Sequence, residues 1–243
     1  MIMKKHLLAL MCLFSAVTHA QATFTPQQEA RISDLVRETL LNNPQILAEV
    51  ADKLNAQASA QGEAQFQSAL QEYKDFLFND ANSPRIGAKD PDLTLVVFTD
   101  YNCPYCKKFD PYLEKIVKQY PNVAVVFKFL PYRSESSVTS ARDALTLWRR
   151  HPEQFIAFND VLMSKVGYHD DASIEAAKKK AGVIVDKPDE QSLDTVKKSL
   201  AVAEKLGIQG TPATIIGDQM LSGWVPYEQF DAMVKDALQK HQS

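Results

Sequence analysis

The chain has 243 residues, a formal net charge of −3, and 45% hydrophobic against 23% charged residues, which excludes a fully disordered chain. Mild acidity argues against a nucleic-acid-binding face, which would be basic. Three cysteines are too few for a disulfide-stapled scaffold, and a chain of this length buries a core without one. Eight glycines and 27 alanines tilt the composition towards helix.

Residues 1–22 read as an export signal. Lys4 and Lys5 form a charged start, Leu7 to Val17 an apolar run, and Ala20-Gln21-Ala22 an A-x-A cleavage pattern, with Thr18-His19-Ala20 as second choice. The run is too short for a membrane span, which needs roughly 20 residues; the alternative is an uncleaved anchor. Cys12 lies inside it behind Leu10-Met11, where a lipoprotein signal would carry small residues. Removal of this segment takes the net charge to −5 and leaves Cys103 and Cys106 as the cysteines.

Residues 23–56 are expected to be helical. Thr25-Pro26 is a helix start, and Ile32, Leu35, Val36, Thr39 and Leu40 share one stripe. Asn43 is expected to cap a second helix opened by Pro44, which carries Ile46, Leu47, Val50 and Leu54. So short a segment cannot bury two apolar stripes alone, so it must pack on the rest of the chain or on copies of itself. Residues 57–67, QASAQGEAQFQ, are polar and nearly uncharged and read as a linker, with a continuing helix as the alternative. Residues 68–243 form the expected main domain. Phe66, Leu70, Tyr73, Phe76 and Leu77 give an amphipathic helix, and residues 79–92, with Pro84, Gly87 and Pro91, a loop.

Leu93 to Thr99 and Val123 to Leu130 are continuous apolar, β-prone runs, the signature of buried strands. Between them Cys103-Pro104-Tyr105-Cys106 opens a helix to about Tyr120. A helical insertion is expected at about 134–206, broken near His151-Pro152, Gly167 and Lys187-Pro188. A hairpin turns across Gly217-Asp218, and a last helix runs from Pro226 to Lys240. Lys178-Lys179-Lys180 reads as a solvated helix face, and Trp148 and Trp224 as packing residues.

A thiolate at Cys103 would sit at a helix N-terminus, where free backbone N–H groups and the helix dipole favour negative charge and lower a thiol pKa. Cys103 is therefore expected to be the accessible, attacking sulfur. Cys106, one turn on, is placed to resolve a mixed disulfide. Half of a metal site and a static disulfide are the alternatives. Tetrahedral zinc takes four ligands, and His151, His169 and His241 are all remote from the motif in sequence, so no metal is expected. A two-residue loop gains little from an entropic staple. Thr211-Pro212 precedes an apolar strand, where proline belongs at the first position and where a cis bond is possible.

Strand, CxxC, helix and a later Thr-Pro loop together resemble the thioredoxin-fold, DsbA-like thiol oxidoreductases. The helix pair from Gln27 to Leu47 resembles that of the suppressor-of-copper-sensitivity protein C (ScsC) group. The resemblance implies an α/β thioredoxin fold with a helical insertion, preceded by a helical oligomerisation segment. It implies that Thr211 and Pro212 lie against the sulfurs and grip substrate backbone, and that Pro104 and Tyr105 tune the redox potential. The expected function is a periplasmic, trimeric protein disulfide isomerase without a cofactor. Its partners would be misfolded exported proteins with cysteines and a membrane thiol reductase as electron donor. A monomeric dithiol oxidase is the alternative, and a copper-binding protein, with the thiolates as soft Cu(I) ligands, the third reading. One departure stands out: many thioredoxin-fold enzymes carry a buried acid six residues before the first cysteine, where this chain has Val97. Asp100 is nearer the motif but beyond the strand's expected end.

Overall fold

The computed structural model describes residues 24–242 apart from residue 186; the export signal and Cys12 lie outside the described residues. The chain divides into two compact units between Gln57 and Ala58.

In the first unit, helix α1 spans Pro26–Asn42. Thr25 caps it: its hydroxyl accepts the Gln28 N–H at 3.3 Å, and the Gln28 side chain accepts the Thr25 N–H at 2.9 Å. Asn43 closes this helix instead of opening the next. Its side-chain amide donates back to the Thr39 carbonyl at 2.9 Å, and helix α2 begins only at Gln45. No residue of α1 is buried. Ile32, Leu35, Val36, Leu47, Val50 and Leu54 all remain exposed in the single chain.

Helix α2 runs Gln45–Glu72 and is continuous through 57–67, so the linker expected there is helical. Alanine, glutamine and glutamate are strong helix formers, and the lone Gly62 costs only about 1 kcal/mol against alanine. Helix propensity outweighs the segment's lack of apolar residues.

The second unit continues through α3 (Lys74–Phe78), β1 (Arg85–Gly87), β2 (Leu93–Thr99), α4 (Pro104–Gln119) and β3 (Val123–Phe129). The insertion supplies α5 (Glu135–Arg150), a 3-10 turn (Pro152–Gln154), α6 (Phe155–Ser164), α7 (Asp171–Ala181) and α8 (Glu190–Lys205). Strands β4 (Ala213–Ile216) and β5 (Gln219–Ser222) and helix α9 (Tyr227–Gln242) close the unit. The sheet order is β1-β3-β2-β4-β5, with β2 and β3 parallel and the other pairs antiparallel. This is a thioredoxin-like fold. Strand β1 lies within the expected loop 79–92; three residues are too few to show a period of two. Gly87, at φ +90°, ends it where an added Cβ would lie 2.3 Å from the Val123 carbonyl oxygen.

Alternation along the strands builds two cores. Leu93, Leu95 and Val97 of β2 join Phe109, Phe155 and Phe230 on one face of the sheet. Val96 and Phe98 join Phe66, Leu77 and Leu206 on the other. Lys128 of β3 is fully buried. Its ammonium bonds the Phe76 carbonyl and the Ser83 hydroxyl, and pairs with Asp80 at 3.4 Å. Burial pulls its pKa down to about 8. The solvated-face reading holds for exposed Lys179 and Lys180 but not for Lys178: one turn after buried Ile174, it is itself buried and pairs with Asp143 at 2.9 Å. Trp148 packs edge-on against Phe155, as expected.

Candidate active site

Strand β2 stops at Thr99 and α4 starts at Pro104, so Asp100 to Cys103 make the turn between them. Buried Asp100 is bonded as a turn-former. One carboxylate oxygen accepts the Asn102 N–H at 2.8 Å, the other accepts the Arg133 N–H at 3.1 Å, and its carbonyl accepts the Cys103 N–H at 3.0 Å. Cys103 is the N-cap of α4, with Sγ accepting the Cys106 N–H at 3.4 Å. Pro104 at the first helical position has no N–H to leave unpaired.

The fold brings together four of the expected site residues. The Thr211-Pro212 peptide is cis, and its loop places the Thr211 carbonyl oxygen 3.2 Å from the Cys103 sulfur. As a thiol, Cys103 donates to that carbonyl. As a thiolate it takes donors instead: chiefly the Cys106 thiol, then the Thr211 side chain and the N–H groups of Cys106 and Tyr105. These outweigh burial and bring its pKa down to about 5. Cys106 moves the other way. Burial pushes its thiol well above the usual value, its bond to Cys103 and the charge there add to this, and the Thr99 side chain opposes it. Each sulfur thus sets the other's ionisation. The expected depression at Cys103 is present: the second thiol leads, and the Cys106 and Tyr105 N–H groups at the helix start add to it.

The expectation of an accessible sulfur is not met: Cys103 is 0% exposed, because the Thr211-Pro212 loop closes against it. Pro104 and Tyr105 are exposed at the start of α4, and the Lys108 ammonium sits 5.5 Å from the Tyr105 ring centre. Val97 is buried in the core beneath α4 and pairs across the sheet with Thr214, whose hydroxyl is buried without a hydrogen-bond partner. No carboxylate stands at this position.

Sequence reasoning missed three groups. Asn102 and Lys107, flanking the CxxC motif, hold a distant loop; their positions beside the cysteines are the one available signal. His169, remote in sequence, is brought to the motif, donating its backbone N–H to Asn102 Oδ1 at 2.7 Å. The third group is Asp110, one turn beyond Cys106 on α4. It is buried, accepts from the Asn159 amide at 3.2 Å on both oxygens, and is pushed by burial to a pKa of about 7. Asn159 in turn accepts from the Tyr101 hydroxyl at 3.1 Å. Among the described residues, no group of three or more His, Cys, Asp or Glu side chains is placed to hold a metal ion.

Two family models match the chain: thioredoxin over residues 79–236, and the copper resistance protein ScsC N-terminal domain over residues 28–61. A linker-deletion mutant of Proteus mirabilis ScsC is 47% identical, with a TM-score of 0.73, over 91% of this chain and 100% of that one. A periplasmic thioredoxin-like protein from Salmonella enterica serovar Typhimurium is 56% identical over 68% of this chain and 95% of that one, with a TM-score of 0.67. Disulfide bond formation protein D of Bacillus subtilis is 24% identical over 65% of this chain and 76% of that protein.

Proposed function

The chain belongs to the thioredoxin family and, within it, to the ScsC group of thiol-disulfide oxidoreductases; on that premise, we propose that it is an exported protein disulfide isomerase working as a trimer. The Cys103 thiolate attacks one sulfur of a wrong client disulfide. A Cys103–client disulfide forms, the client S–S bond breaks, and the departing client sulfur leaves as a thiolate. When a client thiolate then attacks the mixed disulfide, Cys103 returns as a thiolate and the net redox change is zero. If no client thiolate arrives, Cys106 loses its proton and attacks Cys103. The client leaves reduced and the Cys103–Cys106 disulfide remains. A membrane thiol reductase is the proposed source of the two electrons that restore the dithiol.

The roles of the site residues follow from this scheme. Cys103 is the nucleophile, ionised at neutral pH, and Cys106 keeps its proton until the resolving step. The Thr211 carbonyl, beside the sulfur, is placed to accept an N–H from an extended client segment, as in strand addition. Pro104 and Tyr105 set the potential through the first turn of α4. A periplasmic address is proposed because the Salmonella relative is described as periplasmic. In addition, no helix among the described residues is long and apolar enough to cross a membrane.

The observation that carries the trimer is the exposed apolar surface of residues 24–56. Burying each such side chain is worth about 1.5–3 kcal/mol, so a set of them offsets a substantial association entropy. A second reading, the monomeric oxidase, is favoured by the low pKa of Cys103. A stabilised thiolate favours the reduced dithiol and so makes the disulfide a stronger oxidant. One comparison separates them: the chain without its export signal against a chain starting at Phe66, by light scattering and by isomerisation of a client with scrambled disulfides. The longer chain is expected to be a trimer and an isomerase. The shorter one should be a monomer that keeps its CxxC chemistry and loses isomerisation while retaining or gaining oxidase activity. Full-rate isomerisation by the short chain would break the link from assembly to function.

A further inference from the structure

Asn102, immediately before Cys103, is 1% exposed and spends its whole side chain on elements far away in sequence. Its amide nitrogen lies 2.7, 2.8 and 3.0 Å from the hydroxyls of Ser134, Ser136 and Ser137, and its oxygen accepts the His169 N–H at 2.7 Å. An amide nitrogen has two hydrogens for these three acceptors; Ser134 and Ser136 also bond each other at 2.9 Å. Ser136 donates onward to the His169 carbonyl at 2.7 Å, so both backbone groups of His169 are tied to this cluster. On the other side of the motif, the Lys107 ammonium donates to the carbonyls of Lys165 and Gly167 at 2.6 and 2.7 Å.

Residues 165–169, between α6 and α7, are therefore clamped from the two positions that flank Cys103-Pro104-Tyr105-Cys106. The carbonyls of Lys165 and Gly167 and both backbone groups of His169 point at the clamps, and the Lys165 ammonium bonds the carbonyls of Val166 and Tyr168; the side chains of Val166 and Tyr168 point at water, 94% and 52% exposed. Arg133, whose backbone N–H is held by the Asp100 carboxylate at 3.1 Å, is near enough to feel both the loop and the sulfur: burial opposes its charge, and the neighbouring Cys103 and Tyr168 outweigh that and raise its pKa.

We propose that residues 165–169 form a client-docking wall beside Cys103, where Val166 and Tyr168 receive an apolar side chain flanking the client's cysteine, and that Asn102 is the positioning residue holding this wall in register with the sulfur. The proposal rests on the dithiol-exchange reading above. It commits to one occupant, an unfolded polypeptide segment with an apolar residue next to its cysteine. Burial of Val166 and Tyr168 against that residue supplies the attraction, and the two clamps remove the ordering cost that a free loop would impose.

The test uses the full-length protein and two disulfide-linked peptide substrates, one with leucine and one with glycine beside the cysteine, with oxidised glutathione as the probe of the sulfur itself. For Val166→Ser combined with Tyr168→Ser, KM for the leucine peptide should rise about tenfold relative to the glycine peptide, the scale of one lost apolar contact. Asn102→Ala should shift the same ratio in the same direction while the Cys103 thiolate, followed by its absorbance, still titrates near pH 5. Lys107→Met, which releases the loop from its other side, gives the same readout if Asn102→Ala does not fold. An unchanged leucine-to-glycine ratio in the Val166/Tyr168 variant overturns the wall. An equal loss with glutathione overturns it too, because the effect then lies on the sulfur. A wild-type protein inert towards all three substrates is a different result, which removes the dithiol-exchange reading itself.

Discussion

The two units of this chain solve opposite problems with the same kinds of residue. Leu95, in the middle of β2, is 0% exposed and packed on all sides, whereas Leu54, in α2, is 59% exposed. Both belong to clear apolar patterns. The difference is that residues 58–243 contain enough elements to cover both faces of a sheet, and residues 24–57 contain only one helix and the start of another. Periodicity says that a face is meant to be covered. It does not say whether the cover comes from the same molecule.

Substitution at these two leucines sharpens the contrast most. Leu95→Ala should cost about 2–5 kcal/mol of stability in denaturant unfolding, the usual range for a truncated core leucine. Leu54→Ala should leave unfolding of the catalytic unit within about 0.5 kcal/mol and weaken only self-association, measured by sedimentation or light scattering. An equal stability loss at both positions would mean that the N-terminal face is covered from within the chain. Next in size is a pH effect confined to the catalytic unit. Asp110 has a pKa of about 7 in the folded protein against 3.8 for the ordinary side chain. The folded state therefore binds more protons between these values, and the stability contributed is complete below pH 3.8 and lost as pH rises through 7. Asp110→Asn should flatten this slope, which is on the order of 3 kcal/mol across pH 4 to 8, as read from urea midpoints. Should the slope survive, another group carries it. Smallest is Gly62→Ala, in the helical stretch once expected as a linker. An added Cβ meets nothing within 4 Å, so helicity should rise and stability increase by about 0.5–1 kcal/mol. A fall in thiol-disulfide exchange activity in this stiffer variant would show that the segment must bend in use.

What the sequence disclosed was local. Strands β2 and β3, the CxxC helix and the Thr211-Pro212 loop each announce themselves within a few residues, and their order resembles one family. Strand β1 was hidden because three residues carry no alternation. The helix through 57–67 was hidden because polar composition looks the same in a helix and a coil. The polar frame of the site was hidden for a different reason: Asn102 meets Ser134, Ser136, Ser137 and His169 only after the chain has folded, across 32 to 67 residues. Lys128 and Lys178 are intermediate cases. A lysine within the run Val123 to Leu130 is visible as an anomaly, and one at the end of a helical apolar stripe is too, but neither names the carboxylate that receives it.

The sheet also ends briefly on both sides. Strand β1 has three residues, with Pro84 before it and Gly87 as its last, and β5 at the opposite edge has four. An open edge is a template: its unpaired N–H and C=O groups invite any extended chain to add a strand. A thiol-disulfide oxidoreductase acts on cysteine-containing proteins, and an extended segment of one is such a chain. Short edges limit the backbone pairing available to a passing segment, so an encounter with the border of the sheet gains few hydrogen bonds and stays brief. Longer borders would turn the same encounters into aggregation.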